Sequence, residues 1–209
     1  AGGVIFGIKK YADTLMKAVR RYDIDLHFKH ELIRVDGPAH KAWFRVTDAV
    51  GNASIIEKDF DMLHVVPPQS APDFIKQSPL AMQDNPLGWI EVDRQTLRHV
   101  RFPRVFALGD ATNTPNAKTG AAVRKQAPVL VANLLSAIEG SALNATYDGY
   151  GSCPLITGYG KLVLAEFNYA NEPTETFPFD QSKERWSMYQ LKKHVLPWLY
   201  WNRILQGKM

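Results

Sequence analysis

The 209-residue sequence holds a single cysteine, Cys153, which excludes an internal disulfide and any metal site built from several thiolates within the chain. No window approaches the roughly 18 uncharged apolar residues that a spanning helix needs, so no membrane crossing is expected. A strand-linked G-x-G-x-x-G turn is missing, and Gly2-Gly3-Val4-Ile5-Phe6-Gly7 is too short and wrongly spaced to cradle a pyrophosphate. His27, His30, His40, His64, His99 and His194 show no metal-ligand spacing to one another or to Cys153, and are read as surface or core histidines. Neither sign of charge dominates: 25 Lys and Arg against 21 Asp and Glu give +4, too slight an excess to imply nucleic acid. The opening Ala1-Gly2-Gly3-Val4 has no Met and none of the basic and apolar regions of a signal peptide, and reads as a processing boundary.

What is present is a globular composition. With 45% hydrophobic and 22% charged residues the chain can bury a core, which excludes disorder, collagen and coiled coil. Val4 to Phe6 reads as a short strand, and Lys9 to Arg21 as an amphipathic helix carrying Tyr11, Leu15, Ala18, Val19 and Tyr22. Further strands are expected at Ile24 to Phe28, Leu32 to Val35, Ala42 to Val46, Ser54 to Glu57 and Asp61 to Val66. Asp36-Gly37-Pro38 and Val50-Gly51-Asn52 supply turns, and Pro67-Pro68 ends the last strand. The expected first block is therefore β-α-β-β-β-β. Residues 67–103 hold six of the 13 prolines and read as a connection with at most short elements such as Trp89 to Val92.

Arg104 to Leu108 reads as a short buried strand running into Gly109-Asp110-Ala111. A loop from Thr112 to Ala117 precedes a helix from about Lys118 to Glu139, with the apolar stripe Val123, Ala127, Leu130, Val131, Leu134 and Ile138. Pro128 is expected to kink this helix and Gly140 to stop it. Cys153 to Thr157 and Leu162 to Phe167, joined by Gly158-Tyr159-Gly160, read as a hairpin. From Ser182 a long helical pattern runs to the end.

A carboxylate at the carboxyl end of a parallel strand points into the crevice where α/β sheets bind ligands, and there Asp110 can accept hydrogen bonds from sugar hydroxyls. The start of the next helix, with Lys118, suits an anionic or electron-rich ring edge. The plainer alternative is that Asp110 caps a turn and Lys118 is solvated. Residues Val105 to Leu135 resemble the second flavin signature of flavoproteins with two dinucleotide domains. Residues 147–159, Leu164-Ala165-Glu166-Phe167, residues 175–185, Phe6 to Ala12 and Met62 to Pro68 resemble the eukaryotic-type sulfide:quinone oxidoreductases, over nearly the whole chain.

That resemblance implies an α/β chain with α+β character: the C-terminal half of a glutathione-reductase-like flavoprotein with a C-terminal amphipathic helix. Residues 1–103 would belong to a partial second nucleotide-type domain and crossover, 104–145 to the return segment of the FAD domain, and 146–209 to the hairpin and membrane-associating helix. The ADP-binding half and a first redox cysteine would precede Ala1, so this piece alone is expected to lack FAD and activity. The implied FAD contacts are Gly109, Asp110, Lys118, Thr119 and Gly120. Cys153 is implied as the second redox cysteine, although a lone cysteine is by itself an ordinary small hydrophobe. Glu166, Phe177 and Phe179 are the residues assigned to the quinone side.

Segment 182–209 carries three of the five tryptophans among Lys and Arg residues, a pattern suited to a helix in the membrane interface, broken by Pro197. The competing reading is a core or dimer helix. The expected partners are sulfide, quinone and a membrane surface, with no nucleic acid; exposed strand edges leave a homo-oligomer open. The expected location is peripheral to a membrane in an unspecified compartment. A type II NADH:quinone dehydrogenase and a noncatalytic membrane-docking fragment are the alternative functions.

Overall fold

The computed structural model describes residues 2–115 and 118–208, so part of the expected Thr112 to Ala117 loop, and both end residues, lie outside the described residues. Helix and strand are mixed, in two compact units, Ala1–Pro68 and Gln69–Met209. The expected joints after 103 and after 145 both fall inside the second unit.

In the first unit, helix α1 (Lys9–Arg21) occupies the expected span and buries Tyr11 and Thr14. Strands β1 (His30–Asp36), β2 (Lys41–Thr47) and β3 (Ala53–Asp59) form an antiparallel meander in the order β1-β2-β3. Both turns are closed locally: Asp36 accepts from the Ala39 amide at 3.0 Å, and Asp48 accepts from the amides of Val50 at 2.9 Å and Asn52 at 2.8 Å. Three expected strands are absent. Residues 4–6, 24–28 and 61–66 lie outside regular structure, so the block is α-β-β-β. A strand exists only with a neighbour to share its ladder, and these runs find none among the described residues; Val4, Ile24, Met62 and Val66 are exposed.

In the second unit, residues 69–103 hold only short elements, as expected. Helix α2 (Asp73–Lys76) is followed by single bridges, Ala81 to Ile90, Val92 to His99 and Arg98 to Phe106, with Ile90 to Thr112 the one parallel pairing. The expected buried strand 104–108 contributes only the Phe106 bridge. Buried His99 organises this segment: its Nε2 lies 3.0 Å from the Leu80 carbonyl oxygen, and its Nδ1 accepts from the Arg101 amide at 3.0 Å.

Helix α3 (Gly120–Ile138) is capped by the Thr119 hydroxyl, which accepts from the Ala122 amide, and it ends before Gly140 in a left-handed conformation. It continues through Pro128 as one element. The predicted stripe is not the buried face: Val131 is 52% and Ile138 73% exposed, whereas Ala122, Gln126 and Asn133 are buried. Apolar residues surround much of this helix, so their periodicity cannot choose a side. The choice falls to polar anchors. The Asn133 amide nitrogen donates to the carbonyls of Thr96 at 3.0 Å and Ala145 at 2.8 Å, and its oxygen accepts from the Ala145 amide.

Strands β4 (Gly151–Gly158) and β5 (Lys161–Phe167) form the expected hairpin, with Cys153 opposite Ala165 and Ser152 opposite Glu166. Gly149 enters it at φ +86°, and a Cβ there would stand 2.1 Å from the Tyr169 ring, so only glycine fits. Against β5 packs helix α4 (Trp186–Gln190), continued by a π-helical turn (Leu191–Val195) and α5 (Leu196–Asn202). Pro197 does not break the run. It lacks the N–H that would close a turn onto the preceding residues, and the π turn immediately before it absorbs the mismatch.

Candidate functional site

The residues leading to Asp110 are held by main-chain geometry. Gly109, at φ +71°, opens a single 3₁₀ turn (Gly109–Ala111), and a Cβ on it would press to 3.1 Å of Val123 on α3. Its amide donates to the buried Gln126 side chain at 2.8 Å, and its carbonyl accepts from the Thr112 hydroxyl at 2.9 Å. The turn is thus fixed to α3 and presents an exposed Asp110. Beside that carboxylate is a cavity of about 340 Å³ lined by Gln69, Ser70, Pro72, Trp89, Asp110 and Ala111.

Lys118 is neither solvated nor a free cation at the helix start. Its Nζ donates to the Thr112 carbonyl oxygen and lies 4.2 Å above the centre of the Trp89 ring. Burial lowers its pKa, and the charge of Asp110 works in the opposite sense. Thr119 serves as the cap of α3. Gly120 opens the helix with nothing within 4 Å of the place a Cβ would take. Asp110 and Trp89 line the cavity and Lys118 lies over the Trp89 ring, whereas Thr119 and Gly120 are not among the lining residues. A hydroxyl acceptor beside an aromatic wall fits part of a dinucleotide, and the cavity is a fraction of what a whole one fills.

Cys153 is half-buried on β4. Burial pushes its thiol pKa up, and the ammonium of Lys192 pulls it back. Lys192, one of the basic residues of segment 182–209, donates to the Pro154 carbonyl oxygen at 2.8 Å. Helix α3 touches both the Gly109–Ala111 turn and β4, so one rigid element supports the carboxylate and the thiol.

Glu166, assigned from sequence to the quinone side, is 3% exposed. Its Oε1 accepts from the Tyr150 hydroxyl; its Oε2 accepts from the Thr176 amide at 2.9 Å, the Thr176 hydroxyl at 2.7 Å and Gln181 at 2.7 Å. This carboxylate is engaged by the protein's own donors. Burial pushes its pKa up, but these hydrogen bonds outweigh it and hold the carboxyl below its ordinary range. The same carboxylate and burial drive the Tyr150 hydroxyl pKa strongly upward. Phe177 and Phe179 lie apart from the Asp110 turn, stacked at 5.3 Å and packed with Leu162, Leu164 and Met188. Arg185 covers the Phe179 ring at 4.1 Å.

The contacts of Gln126, Tyr150, Gln181, Trp89 and Lys192 were not assigned from sequence, because these are long polar or aromatic side chains whose task is set by distant partners that no local spacing announces. Among the described residues no group of three or more His, Cys, Asp or Glu is arranged to hold a metal ion.

No protein-family model matches the chain. It is 47% identical over 205 residues to the mitochondrial sulfide:quinone oxidoreductase of Mus musculus, covering 98% of this chain and 44% of that protein. The corresponding proteins of Dictyostelium discoideum and Schizosaccharomyces pombe are 44% and 42% identical, over 100% and 95% of this chain. Over nearly its whole length the chain is thus similar to proteins named as sulfide:quinone oxidoreductases, and it spans about 44% of the length of these relatives. A chain in the cryo-EM structure of the Tetrahymena thermophila mitochondrial ATP synthase, an F1Fo composite tetramer, is similar in fold. It superposes with a TM-score of 0.74 at 25% identity, over 92% of this chain and 45% of that one. The thiol, the carboxylate turn and the buried Glu166 clamp all lie in the second compact unit.

The clamp generates a pH prediction. A carboxylate held below its unfolded value contributes stability above that value, about pH 4.5, and loses it as the pH falls through the folded value. Glu166→Gln turns an amide donor toward existing donors and should cost about 3 kcal/mol at pH 7. In thermal melts of this chain the gap between wild type and Glu166→Gln should narrow as pH drops from 5 toward 3; a gap that stays constant would show that the charge contributes nothing.

Proposed function

We propose that this chain is the flavin-facing part of an FAD-dependent sulfide:quinone oxidoreductase with the two-dinucleotide-domain architecture, acting at a mitochondrial membrane surface. The observation that carries the reading is the shared support of α3, which fixes the Asp110 turn on one contact and the Cys153 hairpin on another. Asp110 would hold the sugar hydroxyls of the cofactor and the Gly120 end of α3 its ring edge, with Lys118 keeping the intervening backbone in place. FAD, when bound, would supply two-electron acceptance between sulfide and quinone. Cys153 carries the sulfur chemistry. Hydrosulfide would attack a disulfide between Cys153 and a sulfur from outside this chain: an S–S bond forms to the attacked sulfur, the existing S–S bond breaks, and the other sulfur leaves as thiolate.

Membrane contact is the role of the outer face of residues 186–206. Trp186, Trp198, Trp201 and Leu205 are exposed there together, with Lys193 and Arg203 beside them, while Met188 faces inward. No helix among the described residues is long and apolar enough to cross a membrane, which suits a helix lying in the interface. The location of the named relatives supports the mitochondrial assignment.

In the complete protein, Cys153→Ser should abolish sulfide-dependent quinone reduction with flavin content near normal. Full turnover in that variant would return Cys153 to a packing role. Co-sedimentation with liposomes should rise with anionic lipid and fall with salt, since each basic residue at an anionic surface is worth about 1 kcal/mol. Binding indifferent to both, with no change in Trp fluorescence, would assign the exposed aromatics to a protein contact instead.

A further inference from the structure

The lysine that reaches across the hairpin is spent in an unusual place. Lys192 sits in the π-helical turn, and its ammonium donates to the carbonyl oxygen of Pro154, 38 residues earlier and directly after the cysteine. An ammonium has three donors and no acceptor, so one bond to a main-chain oxygen fixes its position and leaves its charge undiminished. Its neighbours Lys193 and His194 are exposed, whereas Lys192 is half-buried.

The other charged groups around the thiol are already engaged or remote. Across the ladder stands Ala165, which has no charge, and the next residue, Glu166, alternates to the opposite face of β5, where Tyr150, Thr176 and Gln181 hold it. From α3, Arg124 and Lys125 act at Tyr150. Lys161 and Glu184 pair at 4.0 Å near the hairpin turn. Lys192 alone of these is tethered to the residue beside the sulfur.

We propose that Lys192 is a positioning residue for the redox thiol, holding a fixed positive charge beside Cys153 so that the thiolate can form within a half-buried site. The inference rests on the reading of Cys153 as a redox cysteine. It adds that the C-terminal helical run, whose outer face carries the exposed tryptophans, supplies the electrostatics of the sulfur chemistry through its inner face. The direction of the lysine's effect on the thiol, noted above, is the one this role needs.

The test uses the complete FAD-loaded protein, reduced with dithiothreitol, and follows iodoacetamide alkylation of the Cys153 peptide by mass spectrometry between pH 6 and 10. The thiolate sulfur displaces iodide, so the rate reports the thiolate fraction. Lys192→Gln keeps a donor for Pro154 and removes the charge; its alkylation midpoint should rise on the order of one pH unit, with roughly tenfold slower alkylation at pH 7.5. Lys192→Arg should restore most of the midpoint, and Lys193→Met should leave it unchanged. A Lys192→Gln profile superposing on wild type, or a shift equally large in Lys192→Arg, overturns the proposal. Should Lys192→Gln fail to fold, the wild-type profile in low and 1 M salt decides: the midpoint should rise as salt screens the half-buried charge, and a midpoint that does not move contradicts the proposal. Turnover of Cys153→Ser separates the two levels: if that variant turns over while the midpoint still shifts, the redox reading falls and the lysine's effect stands.

Discussion

The second unit depends on a carboxylate that has been taken out of water. An ionised Glu166 at this burial would be strongly destabilising without partners, so every segment that donates to it is held in place by the need to keep donating. Those donors arrive from three stretches: Tyr150 from the approach to β4, Thr176 from the loop after β5, and Gln181 from the lead-in to α4. Gln181 also binds the Leu164 carbonyl and accepts from the Phe177 amide, which extends the clamp to the stacked Phe177 and Phe179. The hairpin, the aromatic loop and the first turn of the C-terminal run are therefore ordered by one charge.

This arrangement explains how a single cysteine can be both half-buried and chemically placed. The strand that carries Cys153 is fixed on one side by β5 and its clamp, on another by α3, and at the next residue by Lys192. The Asp110 turn is fixed to the same α3 by a buried glutamine. The proposed site would thus rest on rigid elements rather than on loops alone, which is what positioning of reacting groups demands.

Much of the regular structure was legible in the sequence. The amphipathic spacing of residues 9–21 marked α1, Asp36-Gly37-Pro38 and Gly51-Asn52 marked the meander turns, and Gly158 to Gly160 marked the hairpin that presents Cys153. What failed to show shares one cause. Periodicity reports a buried face only when polar residues alternate with apolar ones, and α3 is apolar on several sides while Gln126 and Asn133 fix its orientation. Short apolar runs such as 61–66 looked like strands because the signal for a strand is local and its ladder partner is not. The partners of Lys192 and Glu166 stayed hidden for the same reason: they are set by distant residues, and only the fold brings the carbonyl and the donors to them.

The central physical claim is that the Glu166 clamp makes the hairpin, the loop and the first turn of the C-terminal run one cooperative unit. Native-state hydrogen exchange of the 209-residue chain in rising, sub-denaturing urea tests this directly. Amides of β4 and β5, those of Thr176 and Phe177, and those of α4 should converge on one opening free energy. Loop and α4 amides that exchange through a separate, much lower-energy opening, with the hairpin still protected, would contradict the account.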